Sequence, residues 1–192
     1  MLPTSCSTLE LSMKWSDIIH LERLPIQKQA RRGVELIVSI IVAQSAGVVG
    51  SMFTVSTLRT WYIFLVKPWW QPPIWLFAPA WMLLYTFMGT AAHLVWQKRR
   101  KKIAQEALRY YIFQLLLNAT WPLFFFALRA PGLALIEISL LLVMVILTTK
   151  KFWQVDRISG ILMLPYVAWV VYATALNFSI WQMNFPMWQV YQ

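Results

Sequence analysis

"VELIVSIIVAQSAGVVGSMFTV", Val34 to Val55, carries a single charged side chain, Glu35. Crossing a hydrocarbon core of roughly 30 Å takes a helix of about 20 mostly apolar residues, because backbone polar groups in lipid must be satisfied within the segment itself. The stretch therefore reads as a membrane span. Four more runs have the same character: Trp75 to Trp96, Ala107 to Phe126, Ala130 to Thr149 and Ile158 to Met183. No long polar segment separates them. The expected fold is all-α, a polytopic five-transmembrane-helix bundle over 34–184, with an amino-terminal extension over 1–33 and a short tail over 185–192. Composition agrees, since a chain of 192 residues that is 59% hydrophobic and 12% charged has too few charges to cover a water-facing surface.

The formal net charge of +10 raises nucleic acid as a partner. That reading needs a basic face carrying base-reading or stacking groups. Here the basic residues sit between apolar runs, so no nucleic-acid partner is expected. They orient the bundle instead, because Lys and Arg near helix ends stay preferentially on the cytoplasmic side. Fourteen of them fall on one side: Lys14, Arg23, Lys28, Arg31 and Arg32, then Lys98 to Lys102 with Arg109, then Lys150, Lys151 and Arg157. Arg59, Lys67 and Arg129 fall on the other. The amino terminus is thereby expected in the cytoplasm. "KRRKK", Lys98 to Lys102, reads as a juxtamembrane anchor in preference to a nuclear signal or phosphoinositide site. Leu11, Trp15 and Ile18 recur at helical spacing and suggest a short interfacial helix. Met1 to Thr8 has neither a basic start nor an apolar core, so no cleaved signal is expected. Cys6 is alone, which rules out an intrachain disulfide.

Acid, base and metal chemistry find little material. His20 and His93 lie far apart and lack a ligand spacing, so no metal site is expected. Glu137 is the acidic group within a span, and it has two readings: a functional carboxyl, or a protonated one bonded across to a neighbouring helix. Pro79, Pro122 and Pro165 interrupt helical runs and release the carbonyls of Trp75, Asn118 and Ile161. Freed carbonyls at membrane depth belong against protein or a lined cavity, so these prolines either kink helices for packing or border a hollow.

Placement makes the 12 tryptophans informative. Trp75 and Trp96 bracket the second span as an interfacial belt would. Trp81 lies six residues further in, about 9 Å at 1.5 Å per residue, and Trp169 is near the middle of the fifth span. With alternating helix directions, Trp81, Asn118, Trp169, Ala173 and Asn177 share the middle or outer half of the membrane. Their side chains are placed to line one cavity beneath the Thr57 to Ile74 connection.

Three stretches carry a family resemblance: "WYIFLVKPWWQPPIWLFAPAWMLLYTFMGTAAHLVW" (Trp61 to Trp96), "ALRYYIFQLLLNATWPLFFF" (Ala107 to Phe126) and "FWQVDRISGILMLPYVAWVVYATALNFSIWQMN" (Phe152 to Asn184). Together, in this order, they resemble the TspO/translocator protein (peripheral-type benzodiazepine receptor) family over roughly Val34 to Asn184. The resemblance implies five helices, usually a homodimer, around a pocket opening toward the first connection. It also implies ligands: porphyrins such as protoporphyrin IX, haem-related tetrapyrroles, sterols and synthetic isoquinoline carboxamides, with no obligatory cofactor. Carried over by motif, the pocket comprises Ala78, Trp81, Asn118, Trp169, Ala173 and Leu176, with Trp61, Lys67, Pro72, Pro73 and Trp75 at its lid and mouth. Trp81 and Trp169 match the two tryptophans that bacterial relatives implicate in light-dependent porphyrin breakdown, which is the one enzymatic activity the resemblance offers.

A tetrapyrrole is a flat aromatic plate with carboxylates on one edge, and indoles offer a stacking face and an N–H donor. Lys67 and Arg59 are expected near the mouth, where carboxylates would lie. Prolines in the lid reduce the freedom lost when a ligand is covered. The chain also departs from the family pattern. No basic residue follows Tyr172 as the sterol signature of animal members requires, and Leu133 stands where those members carry a ligand-contacting tryptophan. The third span lacks the small-xxx-small pair expected at the dimer face, whereas the first has Ala43 with Gly47 and Ala46 with Gly50, which suit packing either between or within chains.

Overall fold

A computed structural model describes residues 15–190, with side chains placed for 27–55 and 57–185. Five long helices account for most of it: α1 (Trp15–Leu58), α2 (Ile74–Trp96), α3 (Lys102–Pro122), α4 (Pro131–Val155) and α5 (Arg157–Val190). No strand occurs among the described residues. All five helices contain a stretch long and apolar enough to cross a membrane, at Gln27–Val55, Ile74–Trp96, Lys102–Ala127, Pro131–Val155 and Arg157–Phe185. Four of the expected spans lie within these, and the fourth, Ala130 to Thr149, begins one residue early, since Ala130 is the cap that precedes Pro131. The helices outrun the apolar sequence at several ends, because a backbone that has begun to pair its own N–H and C=O groups continues through flanking polar residues.

The chain divides into two units between Glu35 and Leu36. In the first, Arg31 pairs with Glu35 one helical turn on, at 3.3 Å. Of the expected interfacial helix, Leu11 lies outside the described residues, and the backbone is helical from Trp15. The second unit holds the bundle.

Lipid tails are as apolar as the helices, so association within the bundle rests on close packing and polar contacts between helices. Small residues provide the close approach: Ala91, Ala104, Ala107 and Ala134 are fully buried. Larger side chains fill the remainder, with Met88, Leu141, Phe152, Met163 and Tyr166 buried between α2, α3, α4 and α5. The first helix joins through small residues too. A Cβ on Gly89 would stand 2.6 Å from the Ile40 Cα, while Gly47 faces the Tyr85 ring and Gly50 faces Pro122. Ser39 Oγ donates to the Gly89 carbonyl at 2.7 Å, and Gln44 Nε2 to the Met82 carbonyl at 2.9 Å. Ala43, Ala46 and Gly50 are buried in the same contact, so the small residues of α1 pack within the chain.

One end of the bundle is tied by charge. Lys98 donates to Asp156 Oδ2 at 2.6 Å and to the Val155 carbonyl at 3.1 Å. Asp156 makes up the whole α4–α5 connection, and its Oδ1 caps α5 by accepting from the Ser159 N–H at 3.0 Å. The hydrogen-bonded Lys98 ammonium holds the Asp156 carboxyl below the usual 3.8. At the other end, the Thr57–Ile74 connection contains a 3₁₀ turn at Tyr62–Phe64 and buries Leu65. Asn184, fully buried, accepts from the Val66 N–H at 3.0 Å and donates to the Val66 carbonyl at 2.9 Å. Tyr172 donates to the Trp70 carbonyl at 3.1 Å.

The prolines do not act alike. Pro79 lies within α2, whereas α3 ends at Pro122 and continues as a five-residue π-type segment, Leu123–Ala127. Its wider turn is closed by the Leu128 N–H on the Leu123 carbonyl at 2.9 Å, and it directs Phe125 and Phe126 inward.

Candidate ligand cavity

Between α1, α2, α3 and α5 the bundle encloses a cavity of about 430 Å³, with Ile138 and Leu141 of α4 at its back. Ala78, Trp81, Asn118, Trp169, Ala173 and Leu176 all belong to its wall, as does Asn177. Three separate helices, α2, α3 and α5, bring these side chains together. No Lys, Arg, His, Asp or Glu is among the wall residues.

Trp81 is the centre of an aromatic group. Its ring stacks on Tyr85 with centroids 5.4 Å apart and meets Tyr166 and Trp169 edge to face, each at 6.3 Å. Phe77 and Tyr172 contact Trp169 from either side, at 6.0 and 5.8 Å. Beneath Trp81 runs a buried polar chain. The Tyr85 hydroxyl donates to Asn118 Oδ1, Asn118 Nδ2 donates to the Tyr166 hydroxyl at 2.9 Å, and that hydroxyl donates to Gln114 Oε1 at 3.0 Å. Asn177 is fixed in turn, accepting from Trp121 Nε1 at 3.1 Å and donating to the Pro131 carbonyl at 2.8 Å. Buried polar groups without partners are costly, so these amides hold the wall in one arrangement. Trp169 Nε1 differs: it is buried and has no hydrogen-bond partner among the described residues.

The expected lid and mouth residues stand apart from this wall. Trp61 packs edge to face on Phe125 at 5.9 Å, and Pro72 is half-buried, while Pro73 and Trp75 are exposed. Lys67 donates to the Ile63 carbonyl at 3.2 Å, and its ammonium lies 4.8 Å over the Tyr62 ring. Tyr62 is a wall residue, so Lys67 is one side chain removed from the cavity. Burial pushes the Tyr62 phenol up to about 12, and partial burial lowers the Lys67 pKa. Arg59 and Leu133 are exposed and outside the wall.

Glu137 is buried but does not belong to the wall; its Oε1 accepts from Thr120 on α3 at 3.4 Å, the interhelical bond that was one of its two readings. His93 is within 2.7 Å of Gln97, and among the described residues no three His, Cys, Asp or Glu side chains cluster as a metal site would need. The side chain of His20 lies outside the described residues.

Sequence reasoning missed Tyr62, Phe77, Tyr85, Trp121, Phe125 and Phe126, all of them wall residues. For Tyr85 the signal was available, since it lies one helical turn beyond Trp81 and so shares its face. Phe125 and Phe126 come after the break at Pro122, where a 3.6-residue period no longer tells which side a residue faces.

Five apolar helices around an uncharged, aromatic hollow define an integral multi-pass membrane protein with an intramembrane cavity. The sequence profile of the TspO/MBR family matches residues 38–182. The chain belongs to the TspO/MBR family. It is similar to the tryptophan-rich protein TspO of Archaeoglobus fulgidus, 36% identical over 151 residues that cover 79% of this chain and 97% of that one. It is also similar to the human translocator protein, 38% identical over 138 residues covering 71% and 82% of the two chains. Protein CrtK of Rhodobacter capsulatus is 36% identical over 148 residues, covering 77% and 91%.

Proposed function

We propose that the cavity binds a tetrapyrrole, with protoporphyrin IX as the type ligand, and so sequesters, senses or moves porphyrin. The observation that carries this reading is the pair of indoles at right angles on an uncharged wall, Trp81 and Trp169, 6.3 Å apart at 80°. A flat macrocycle stacks on one ring face and meets the edge of the other, arrangements worth about 0.5 to 1.5 kcal/mol each beyond area burial. The carboxylates, which an uncharged wall would reject, lie toward the connection, where the Lys67 ammonium sits over Tyr62. In this reading the amino terminus is cytoplasmic and the Thr57–Ile74 connection faces away from the cytoplasm.

A titration with protoporphyrin IX tests it. Tryptophan fluorescence is expected to fall saturably, and Trp81→Phe or Trp169→Phe to weaken binding severalfold, the effect of losing about one such contact. Unchanged affinity in both variants would overturn the assignment.

Light-dependent porphyrin breakdown is the second reading, favoured by the contact of Trp81 with both Tyr85 and Trp169. Excited porphyrin would take one electron from an indole and pass it to dioxygen; the indole radical cation would regain an electron from the macrocycle, and superoxide would add to the resulting porphyrin radical cation, so that one dioxygen is consumed for each ring opened. Illumination of the aerated complex should then bleach the porphyrin band, faster than in Trp81→Phe; equal rates would leave a binder alone. Competition between porphyrin and sterol for the cavity separates both readings from a sterol or lipid transporter or scaffold, and mass measurement in lipid nanodiscs tests the homodimer.

A further inference from the structure

The walls of the cavity are not equally closed. On the α3, α4 and α5 side, Asn118, Leu141, Val170 and Asn177 are buried. Toward the Thr57–Ile74 connection it is capped by Tyr62, Phe126 and Ile180, buried as well, beneath a loop that Asn184 and Tyr172 bind to α5. On the α1 and α2 side the wall residues Val48, Val55, Ile74 and Met82 are 62, 70, 50 and 63% exposed. A side chain that both lines a cavity and is open to the exterior marks an opening.

The two helices are held together at the opposite end of this contact, by Gly89 against Ile40 and by the bonds of Ser39 and Gln44. From Gly47 onward side chains and cavity lie between them. The opening runs from Val48 to Val55, about 10 Å along the axis at 1.5 Å per residue. Both stretches belong to apolar spans, so it faces acyl chains rather than water.

We propose that the cavity opens sideways into the bilayer through a slot between α1 and α2, and that a phospholipid acyl chain enters by this slot and fills the hollow in the absence of another ligand. An uncharged, largely apolar hollow beside lipid presents a flexible hydrocarbon chain with no polar group to desolvate. Water gains few partners there. The inference stands on the cavity walls and is independent of porphyrin binding.

The test uses the full chain in nanodiscs of phosphatidylcholine bearing a diazirine on its acyl chain, photolysed and mapped by peptide mass spectrometry. Adducts are expected on the buried wall, at Asn118, Ala173 and Leu176, in addition to outer-face positions such as Ile136 and Val143. The Val48→Trp, Ala78→Trp variant, which narrows the slot, should lose the interior adducts and keep the outer ones. Ser51→Leu, a milder change on the same rim, should reduce them in the same direction. Asn184→Ala, which frees the loop, should leave them unchanged. Absence of interior adducts in the wild type, their persistence in both slot variants, or a rise on loosening the loop would overturn the proposal, the last by moving the entrance to the connection.

Discussion

Asn184 binds both backbone groups of Val66 across 118 positions of sequence, and its Nδ2 also meets the Ile180 carbonyl at 2.7 Å. Truncation removes both part-buried bonds to the Val66 backbone, at a cost of about 0.5 to 1.5 kcal/mol each. Asn184→Ala is therefore expected to lower the thermal midpoint and to hasten proteolysis within the Thr57–Ile74 connection; wild-type cleavage rates would mean that the loop is held by something else. Asp156 makes a pH-dependent contribution at the other end. Its folded pKa is lowered by Lys98, so its stabilisation is complete above the unfolded value of 3.8 and is lost as pH falls through the folded value. The difference in melting temperature between wild type and Asp156→Asn should be full at neutral pH and vanish in strong acid. A difference that persists there would mean that the ion pair with Lys98 does not carry the effect.

At the scale of elements, the α1–α2 crossing separates two kinds of glycine contact. A Cβ at position 89 meets the backbone of Ile40, which cannot swing aside, whereas one at position 47 meets the side-chain ring of Tyr85. Gly89→Ala should cost about 1 to 3 kcal/mol and separate the helices. Gly47→Ala should cost less and act on the cavity by displacing Tyr85, a change that porphyrin affinity reads independently of the melting temperature. The spans themselves were legible because lipid imposes a length and a polarity that a window of apolar residues records directly. Helix direction then came from counting, and with it the shared depth of Trp81, Asn118, Trp169 and Ala173. The stretch after Pro122 was not legible, since the π-type segment replaces the helical period by a wider turn. Nor were the contacts of the Thr57–Ile74 connection. Its tryptophans and prolines show a stiff, aromatic segment, but a non-periodic chain does not disclose that Trp75 faces outward or that Lys67 lies against Tyr62.

On the scale of the whole molecule, the unit from Leu36 onward is a helical bundle with a cavity between its helices. Close-packed α2 to α5 form a frame of alanines, large apolar side chains and satisfied amides, and α1 leans on that frame through small residues in its Ser39–Gly50 stretch. The space left over is walled by aromatic rings without charges, which suits an apolar, planar guest and excludes an unpaired ion. Function in this account resides in the vacancy, with the tryptophans as its surface. The most direct measurement is a protoporphyrin IX titration of Ala173→Phe, a substitution that occupies the vacancy and leaves every tryptophan in place. Saturable quenching should be abolished in this variant while the protein remains folded by its melting profile. A quenching curve that matches the wild type would place the porphyrin elsewhere and contradict the account.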